Sequence, residues 1–226
     1  MRKIIALFLI LVSCVILFAA EPVAYLIKTK GSVQLYRDNK AFKFKNGELL
    51  YNNDEIITNE KAYAAVKYMD GSSTVKIFPN SVLKVTATKN AKLLDKNVAM
   101  QLGNVYSKVS NKIKGAYKVE SPNTVASVKG TGFMVRYNAD KKTWVIVLEG
   151  EVLVQNKASG KSVTVGKGST AISDDDGNIE THETLPEEIT DSEQSEIDDT
   201  NQDGRKTYKV QVTDDQGNIR YINITY

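Results

Sequence analysis

The chain has 226 residues with 30 Lys and Arg, 27 Asp and Glu and a formal net charge of +3, enough chain for one sizeable core with appendages. Its one cysteine is Cys14 and its one histidine is His182, so a zinc site built from imidazole and thiolate ligands is excluded. A Ser-His-Asp triad is not expected either, because His182 falls in an acid-rich stretch with the composition of a flexible tail, whereas the base of a triad must be held in place by a third group.

The first twenty residues have the composition of an export signal. Arg2 and Lys3 precede an uncharged run from Ile4 to Ala20, which ends in small residues before Glu21. A positive start, an apolar middle and small residues at the end are typical of a secretory leader. We therefore expect residues 1–20 to direct the remainder of the chain out of the cytoplasm, to the periplasm or beyond.

Three fates of this leader remain open from the sequence. Cleavage after Ala20 leaves a mature chain without cysteine, whereas an uncleaved run of about 17 apolar residues is a short membrane anchor. The third interpretation uses Leu11–Cys14, which matches a bacterial lipoprotein box and makes Cys14 a possible lipidation site. All three place residues 21–226 in an extracytoplasmic compartment, with the membrane contacted only through the N-terminal segment.

Residues 21–173 alternate short β-rich runs with turn signals about every 8 to 12 residues, a spacing typical of sandwiches, barrels and β-solenoids. The clearest turn signal is Asp70-Gly71, between two such runs. We predict an all-β domain of many short strands that form a jelly-roll or β-solenoid-like sandwich.

The stretch from Ser121 to Gly150 is the most informative part of this domain. Pro122 fits just before a strand, because proline cannot donate to a sheet ladder. Lys129–Gly132 interrupts the β-pattern with two glycines, as in a bulge or tight corner rather than a phosphate-binding loop, which needs wider glycine spacing and a following helix. Phe133 to Tyr137 and Trp144 to Leu148 then predict a hairpin, with Phe133, Val135 and Tyr137 on one face and Met134 and Arg136 on the other.

The sequence also contains an internal repeat. Tyr25–Leu35 aligns with Trp144–Val154 around the glycines Gly31 and Gly150, and Leu102–Tyr106 is a partial third copy. Each copy is a strand, a Gly-x-Val corner and a return strand, which would let short strands stack in similar layers. Chance similarity among β-hairpins is the alternative interpretation.

After residue 173 the composition changes abruptly. Residues 174–204 contain thirteen Asp or Glu and no Lys or Arg, which predicts a disordered acidic linker over residues 174–205. Two β-rich runs separated by Asp214–Gly217 then predict a β-hairpin over residues 206–226. An isolated two-stranded hairpin is marginal in water, so we expect it to dock elsewhere.

Charge is distributed unevenly between these parts. Residues 21–173 hold 24 basic and 12 acidic side chains, against thirteen acidic ones in the tail. A basic exported domain is suited to anionic envelope polymers or acidic lipid headgroups, although lysines spread along the strands also serve to solvate them and guard their edges. A further hypothesis is that the acidic tail folds back on the basic domain and competes with an anionic partner.

Other candidate sites have plainer interpretations. The acid pair Asp54-Glu55 is expected to be a solvated turn, and Asp174–Asn178 lacks the ligand spacing of a calcium loop. Aromatic side chains suggest either a sugar-stacking platform or, with more support, core and cross-strand packing. The aromatic residues in question are Trp144, Tyr63, Tyr68, Tyr106 and Tyr117.

An ordered set of motifs over about residues 25–170 resembles the FecR domain. These motifs are Gly31-Ser32-Val33, Asn53–Thr58, Asp70–Ser73, Pro79-Asn80-Ser81, Leu102–Val105, Ser121–Phe133 and Leu148–Val152. The resemblance implies an all-β extracytoplasmic domain without catalysis. Founding members relay an outer-membrane receptor signal to a sigma factor through a cytoplasmic segment. Only Met1–Lys3 precede the apolar run here, so such a segment is not expected.

These observations lead to an expected function. We expect an exported, non-enzymatic FecR-like binding or scaffold protein of the bacterial cell envelope, with an envelope protein or an anionic cell-wall polymer as partner. We expect no cofactor, metal or nucleic acid. A regulatory component of cell-surface signalling is the alternative, and a glycan-active enzyme is a weaker one. The residues singled out as structural motif are Gly31, Asp70, Gly71, Gly103, Pro122, Gly130, Thr131, Gly132, Phe133, Trp144 and Gly150.

Overall fold

The computed structural model describes residues 21–90, 93–201, 207–213 and 219–225, so the predicted leader with Cys14 lies outside the described residues. The described residues are mostly strands, with one 3-10 turn at Pro186–Glu188 and one α-helix, α1, at Asp191–Asn201. In chain order the strands are β1 Ala24–Lys30, β2 Val33–Arg37, β3 Lys40–Phe42, β4 Leu49–Leu50, β5 Asp54–Thr58, β6 Tyr63–Tyr68, β7 Ser73–Ile77, β8 Ser81–Asn90, β9 Leu93–Val109, β10 Tyr117–Glu120, β11 Thr124–Val128, β12 Gly132–Tyr137, β13 Thr143–Glu149, β14 Glu151–Asn156, β15 Ser162–Gly166, β16 Ser169–Ser173, β17 Ile179–Glu183, β18 Thr207–Thr213 and β19 Ile219–Thr225.

Strands β1 to β17 form one hydrogen-bonded sheet that folds over at β9 into two layers. The front sheet has the order β4–β1–β6–β7–β9–β12–β13–β16–β17. The back sheet has the order β3–β2–β5–β8–β9–β10–β11–β14–β15. β9 belongs to both, because it pairs with β8 as far as Leu102 and with β12 from Gly103 onward. The predicted all-β sandwich is confirmed.

The main core fills the space between the two layers, where alternate side chains of each strand point inward. On β12, Phe133 and Val135 are buried in this core, whereas Met134 belongs to a separate apolar cluster on the other face. The predicted division of this strand into two faces is therefore confirmed. The predicted hairpin is also present, since β12 pairs antiparallel with β13.

The internal repeat in the sequence is also a repeat in the structure. β1 passes from the front sheet to β2 in the back sheet at Gly31, and β13 passes to β14 at Gly150, with φ angles of +68° and +74°. The next neighbours correspond too: β1 pairs with β6 as β13 pairs with β16, and β2 pairs with β5 as β14 pairs with β15. Glycine suits these corners because side chains with a Cβ disfavour positive φ.

The prediction of a disordered linker over residues 174–205 is wrong for the part that the structure describes. Ile179–Glu183 is strand β17, paired with β16 at the edge of the front sheet, and Asp191–Asn201 is helix α1. Composition alone indicated disorder, because the segment has little apolar surface of its own. In the structure, the folded domain provides the apolar surface on which this segment packs and the basic residues with which its carboxylates pair.

The chain continues after α1 into the two strands predicted near its end. β18 and β19 pair antiparallel with Thr207 opposite Thr225 and Thr213 opposite Ile219. They form a two-stranded sheet of their own. The expected β-hairpin is therefore present, whereas its docking site stays a prediction.

Candidate functional site

The outward-facing side of the front sheet, here called the outer face, carries a row of directly opposed residues. The row takes one residue from each of eight neighbouring strands: Lys28, Ala65, Lys76, Tyr106, Met134, Ile146, Thr170 and His182. Its ends are polar or charged and its centre is largely apolar. Because opposed residues of paired strands point to the same side of a sheet, this row lies across one continuous surface.

An apolar patch, separate from the main core, occupies the middle of the outer face. Its members are Tyr63, Ala65, Phe78, Tyr106, Met134, Ile146 and Leu148 on the sheet, together with Ile189 and Ile197 from the acidic segment. The rings of Tyr63 and Phe78 pack edge to face with centroids 6.2 Å apart. A patch of this kind stays out of water only when another element covers it.

The cover is the segment of residues 184–201, here called the acidic strap. It leaves β17 at one edge of the front sheet, makes the 3-10 turn at Pro186–Glu188 and runs back over the outer face as helix α1. Ile197 of α1 is 1% exposed because it lies in the apolar patch. Three carboxylates, Glu188, Glu193 and Glu196, hold the strap at successive positions across the sheet.

Helix α1 begins with a capping box. The backbone N–H of Glu193 donates to Thr190 Oγ1 at 3.3 Å, and the backbone N–H of Thr190 donates to Glu193 Oε2 at 2.8 Å. These reciprocal bonds satisfy two donors that an uncapped helix start leaves free. The Thr-x-x-Glu pattern of Thr190–Glu193 therefore determines where the helix starts.

Glu188 anchors the strap near the β16–β17 edge. Thr170 Oγ1 donates to Glu188 Oε2 at 2.6 Å, and His182 Nε2 lies 2.5 Å from Glu188 Oε1. The guanidinium of Arg136 on β12 donates to the backbone carbonyl of Glu188 at 2.9 Å. A carboxylate that is 7% exposed is stable only with partners of this kind.

Glu193 anchors the middle of the strap as well as capping the helix. Its carboxylate accepts a hydrogen bond from Asn104 Nδ2 on β9 and lies 3.3 Å from the Arg136 guanidinium. Glu193 is 9% exposed, so its charge is largely removed from water and compensated by Arg136. One residue thus joins the start of α1 to two strands of the front sheet.

Glu196 anchors the far end of the strap on β1. Lys30 Nζ lies 2.7 Å from Glu196 Oε1, and Lys28 Nζ lies 3.7 Å from Asp199 Oδ2. Burial raises the pKa of Glu196, but the hydrogen bond from Lys30 and the nearby ammonium charges outweigh burial, so this pKa lies below its usual value. The same hydrogen bond raises the pKa of Lys30.

Lys76 occupies the centre of the outer face without a matching acceptor. It is 4% exposed, it lies opposite Ala65 and Tyr106, and its Nζ has no hydrogen-bond partner among the described residues. Burial lowers the pKa of Lys76, although the charges of Asp199 and Glu196 act in the opposite direction. The strap thus covers this ammonium without hydrogen-bonding it.

The residues predicted as structural motif lie at turns, corners and packing positions. Asp70 and Gly71 form the β6–β7 turn, where Asp70 accepts a hydrogen bond from the N–H of Ser72 at 3.1 Å. Asp70 also lies 2.6 Å from Nζ of Lys96, whose side chain is fully buried. Pro122 lies in the turn between β10 and β11, just before the strand that begins at Thr124.

The Gly130–Phe133 motif is the corner at which the chain enters β12. Gly130 has a φ angle of +75°, and the hydroxyl of the buried Thr131 donates to the carbonyl of Glu151 at 2.9 Å. Gly132 begins β12, and Phe133 packs edge to face against Tyr117 in the core. The motif therefore serves as a strand corner, with no sign of a phosphate loop in its geometry.

The aromatic residues do not form a sugar-stacking platform. Tyr68, Tyr106 and Tyr117 are at most 1% exposed and Tyr63 is 5% exposed, so all four pack inside the molecule. Trp144 is half-buried on the outer face, with its ring centroid 6.3 Å from that of His182. Only the packing interpretation agrees with this burial.

The acid pair Asp54-Glu55 is not a solvated turn as expected. Asp54 is 1% exposed and receives a bidentate pair of hydrogen bonds from Arg37 at 2.9 and 2.7 Å, whereas Glu55 lies 3.6 Å from Lys84. Arg37 in turn packs over the rings of Phe42 and Tyr51. The pair therefore has a structural role, with each carboxylate committed to a neighbouring cation.

Sequence reasoning did not single out Glu188, Glu193, Glu196 or Lys76. One signal was present for the strap: Thr190–Glu193 has the Thr-x-x-Glu pattern of a capping box. No sequence pattern marks Lys76, whose importance comes from the element that covers it. The hypothesis that the acidic tail folds back on the basic domain agrees with the structure as far as residue 201.

Two absences apply to the part of the chain that the structure describes. No three His, Cys, Asp or Glu side chains gather there as a group that would hold a metal ion. No helix there has the length and apolar character that crossing a membrane requires.

Comparison with known proteins gives a family match for part of the chain. Residues 54–153, from the start of β5 into β14, match the model of the FecR protein family, a narrower span than the resemblance over residues 25–170. A search of curated proteins gives no match. Two crystal structures of a candidate anti-sigma factor from Parabacteroides distasonis align at 21% identity and a TM-score of 0.49. Each alignment covers 57% of this chain and 59% of that one.

Proposed function

We propose that this chain is a FecR-like, non-catalytic binding protein of the bacterial cell envelope, and the match of residues 54–153 to the FecR family model supports this proposal. It acts through contacts with an envelope protein or an anionic cell-wall polymer. The export leader predicted over residues 1–20 supports the envelope location. The observation that supports binding is the outer face, where the apolar patch and nearby basic residues form a contact surface that the acidic strap covers. These basic residues are Lys28, Lys30, Lys76 and Arg136.

The chemistry of the described residues supports a binding role over an enzymatic one. The charged side chains that are removed from water are mostly engaged in ion pairs, such as Arg37 with Asp54 and Arg136 with Glu193. A glycan-active enzyme needs two carboxylates set apart across a cleft, one of them free to exchange a proton. The described residues give no indication of two carboxylates arranged in this way, so we do not propose a reaction.

A pull-down from envelope extract, run beside a sedimentation assay with purified cell wall, tests this function. The immobilised protein is residues 21–226, and a heat-unfolded sample is the control for non-specific adhesion. Specific retention of one envelope protein, or cosedimentation that salt weakens, supports binding. Failure of both assays at low and physiological salt would contradict it.

The export step is tested separately from binding. Expression of the full chain in a bacterial host, followed by fractionation, locates the protein inside or outside the cytoplasm. The intact mass of the purified product distinguishes cleavage after Ala20 from retention of residues 1–20 and from lipidation of Cys14. Recovery only from the cytoplasm with the full mass would overturn the envelope assignment.

A regulatory component of cell-surface signalling is the second candidate function, and the family match favours it. In this case a partner supplies the relay across the membrane. Deletion of the gene is then expected to change the transcription of a sigma-factor-dependent set of genes. If transcript levels are unchanged while the protein still binds an envelope protein, the regulatory role is contradicted and the scaffold role is retained.

A further inference from the structure

The outer face carries the features of a peptide-binding surface. Its centre is apolar, and four basic side chains surround or interrupt that centre: Lys28, Lys30, Lys76 and Arg136. The strap matches these features with apolar anchors, Ile189 and Ile197, and with carboxylates in register with the basic residues. The strap therefore shows what kind of segment this surface accepts, namely an acidic one with apolar anchors.

The strap is a weak occupant of this surface. Its helix has eleven residues, which is too short to be stable alone, and it is rich in Asp, Ser, Thr and Asn, which have low helix propensity. Its last turn contains acidic residues and no basic one, which opposes the helix dipole. Within α1, Ile197 is the one buried hydrophobic side chain among those described. Docking rather than intrinsic helix stability holds the strap in place.

The strap also leaves the surface incompletely satisfied. Lys76 Nζ is buried beneath it without a hydrogen-bond partner among the described residues. A buried ammonium without hydrogen bonds is costly, so a segment that brings a carboxylate to Lys76 would bind this surface better than the strap does. An open groove beside the start of α1, lined by Phe78, Arg136 and Glu193 among others, gives access to the covered surface.

We propose that the outer face binds an acidic peptide segment of a partner protein and that the acidic strap occupies this surface until the partner displaces it. This proposal rests on the proposed binding function and names the class of partner. An acidic peptide fits better than an anionic polymer, because the apolar patch requires apolar anchors that a sugar or phosphate polymer lacks. In exchange for the strap, the partner peptide places its apolar side chain where Ile197 lies and its carboxylates opposite Lys30, Lys76 and Arg136.

The test uses a fluorescent synthetic peptide of residues 184–201 as the probe. It is titrated into the protein of residues 21–226 and into the variant Glu193→Gln/Ile197→Ala, in which the built-in strap has lost its central carboxylate and its anchor. We expect the variant to bind the probe at least about tenfold more tightly than the unmodified protein, because its own strap competes less. Equal affinity, or no binding by the variant, would overturn the proposal.

Two controls separate recognition of this surface from general charge attraction. Adding Arg136→Met to the variant removes a basic contact of the strap and is expected to weaken probe binding, whereas adding Lys118→Met, an exposed lysine of β10 in the back sheet, is not. Polyglutamate and polyphosphate are tested as competitors. If either displaces the probe as well as unlabelled peptide does, the surface recognises anionic polymer and the peptide proposal is wrong.

The variant Glu196→Gln serves as a second release variant in case Ile197→Ala disturbs folding, and a retained single cooperative unfolding transition shows that the variant used is still folded. Failure of this proposal is distinguishable from failure of the proposed function. If no release variant binds the probe while an envelope protein or cell wall is still retained, the proposal fails and the function stands. If the pull-down and sedimentation assays also show nothing, both fail.

Discussion

Gly103 is the residue at which β9 passes from the back sheet to the front sheet. Its φ angle is +109°, and a Cβ built there would lie 2.2 Å from Ser81 Oγ and 2.4 Å from Ser81 Cα. The adjacent backbone belongs to β8, which is held in the sheet, so Ser81 has little room to move. Gly103 is therefore required both for its backbone conformation and for the close approach of two strands.

The variant Gly103→Ala is expected to lower the free energy of unfolding by about 3 kcal/mol or more, because backbone strain and steric overlap add. Urea denaturation measures the change. Gly166→Ala is the matched control, since a Cβ at Gly166 meets nothing within 4 Å and its φ angle is not positive. We expect that control to change stability by less than about 1 kcal/mol. Similar losses in both variants would contradict the role of the corner.

Lys76 is a buried lysine whose charged form is disfavoured by burial. Burial lowers the pKa of Lys76 below 10.5, so between its folded pKa and 10.5 the unfolded chain binds more protons than the folded chain. Stability is therefore expected to rise with pH across that window. Below it, the buried charge is present in the folded state and lowers stability.

Lys76→Met is accordingly expected to raise the free energy of unfolding at neutral pH by about 1 kcal/mol or more and to flatten the alkaline rise. Urea denaturation at neutral and alkaline pH measures both effects. Lys118→Met replaces an exposed lysine on β10 and is expected to change stability by less than about 0.5 kcal/mol. A destabilised Lys76→Met variant would show that the ammonium contributes favourably to the fold.

At the scale of elements, helix α1 depends on its cap and on docking. Thr190→Ala removes the hydroxyl that accepts the N–H of Glu193 and is expected to cost about 1 kcal/mol of strap stability. Hydrogen exchange of the α1 amides measures the loss, with the amides of β6 and β7 as internal reference. Thr190→Ser keeps a capping hydroxyl and is expected to retain most of the protection. Unchanged exchange in Thr190→Ala would show that docking alone holds the helix.

Acidification is expected to release the strap. Glu196 has a pKa below its ordinary 4.5, so its stabilising effect is complete above that value and is lost as pH falls through the folded pKa. The charges facing it are Lys28 and Lys30 from β1 and Lys76 from β7, with Asp199 on its own helix. These lysines stay protonated in acid, so protonation of Glu196 removes the attraction.

The methyl resonances of Ile197, followed by NMR from about pH 7 to pH 3, report this release because the side chain leaves the apolar patch. Glu196→Gln is expected to weaken docking already at neutral pH and to reduce the dependence on pH. A strap that stays docked in acid in both proteins would show that its apolar contacts suffice.

In the molecule as a whole, the two layers pack together as one folded unit, and the strap covers that unit from outside. The core between the layers contains no side chain from residues 184–201 among those described, whereas Ile179 of β17 packs against it. Deletion of residues 184–226 is therefore expected to leave a single cooperative unfolding transition. It also uncovers the apolar patch, so binding of a hydrophobic dye is expected to increase. Loss of cooperative unfolding would show that the strap is part of the core unit.

Several features could be predicted from the sequence: the all-β class, the turn at Asp70-Gly71, the glycine corners and the two faces of Phe133–Arg136. These features follow from local rules, namely alternation along a strand and the conformational freedom of glycine. The acidic segment was misjudged, because low apolar content predicts disorder only for a segment considered alone. The buried pair of Arg37 and Asp54 was missed for a related reason, since the two residues belong to different strands.

A few neighbouring residues are enough to specify where the strands turn and change layer, because those events depend on local conformational preferences. In contrast, the surface that the acidic strap covers, with the side chains beneath it, exists only in the packed sheets. The carboxylates of the strap contact their partners only because the front sheet brings distant strands side by side. The pairs are Glu188 with Thr170, Glu193 with Arg136 and Glu196 with Lys30. The physical reason is that burial and charge pairing depend on distance in space, which local sequence patterns do not encode.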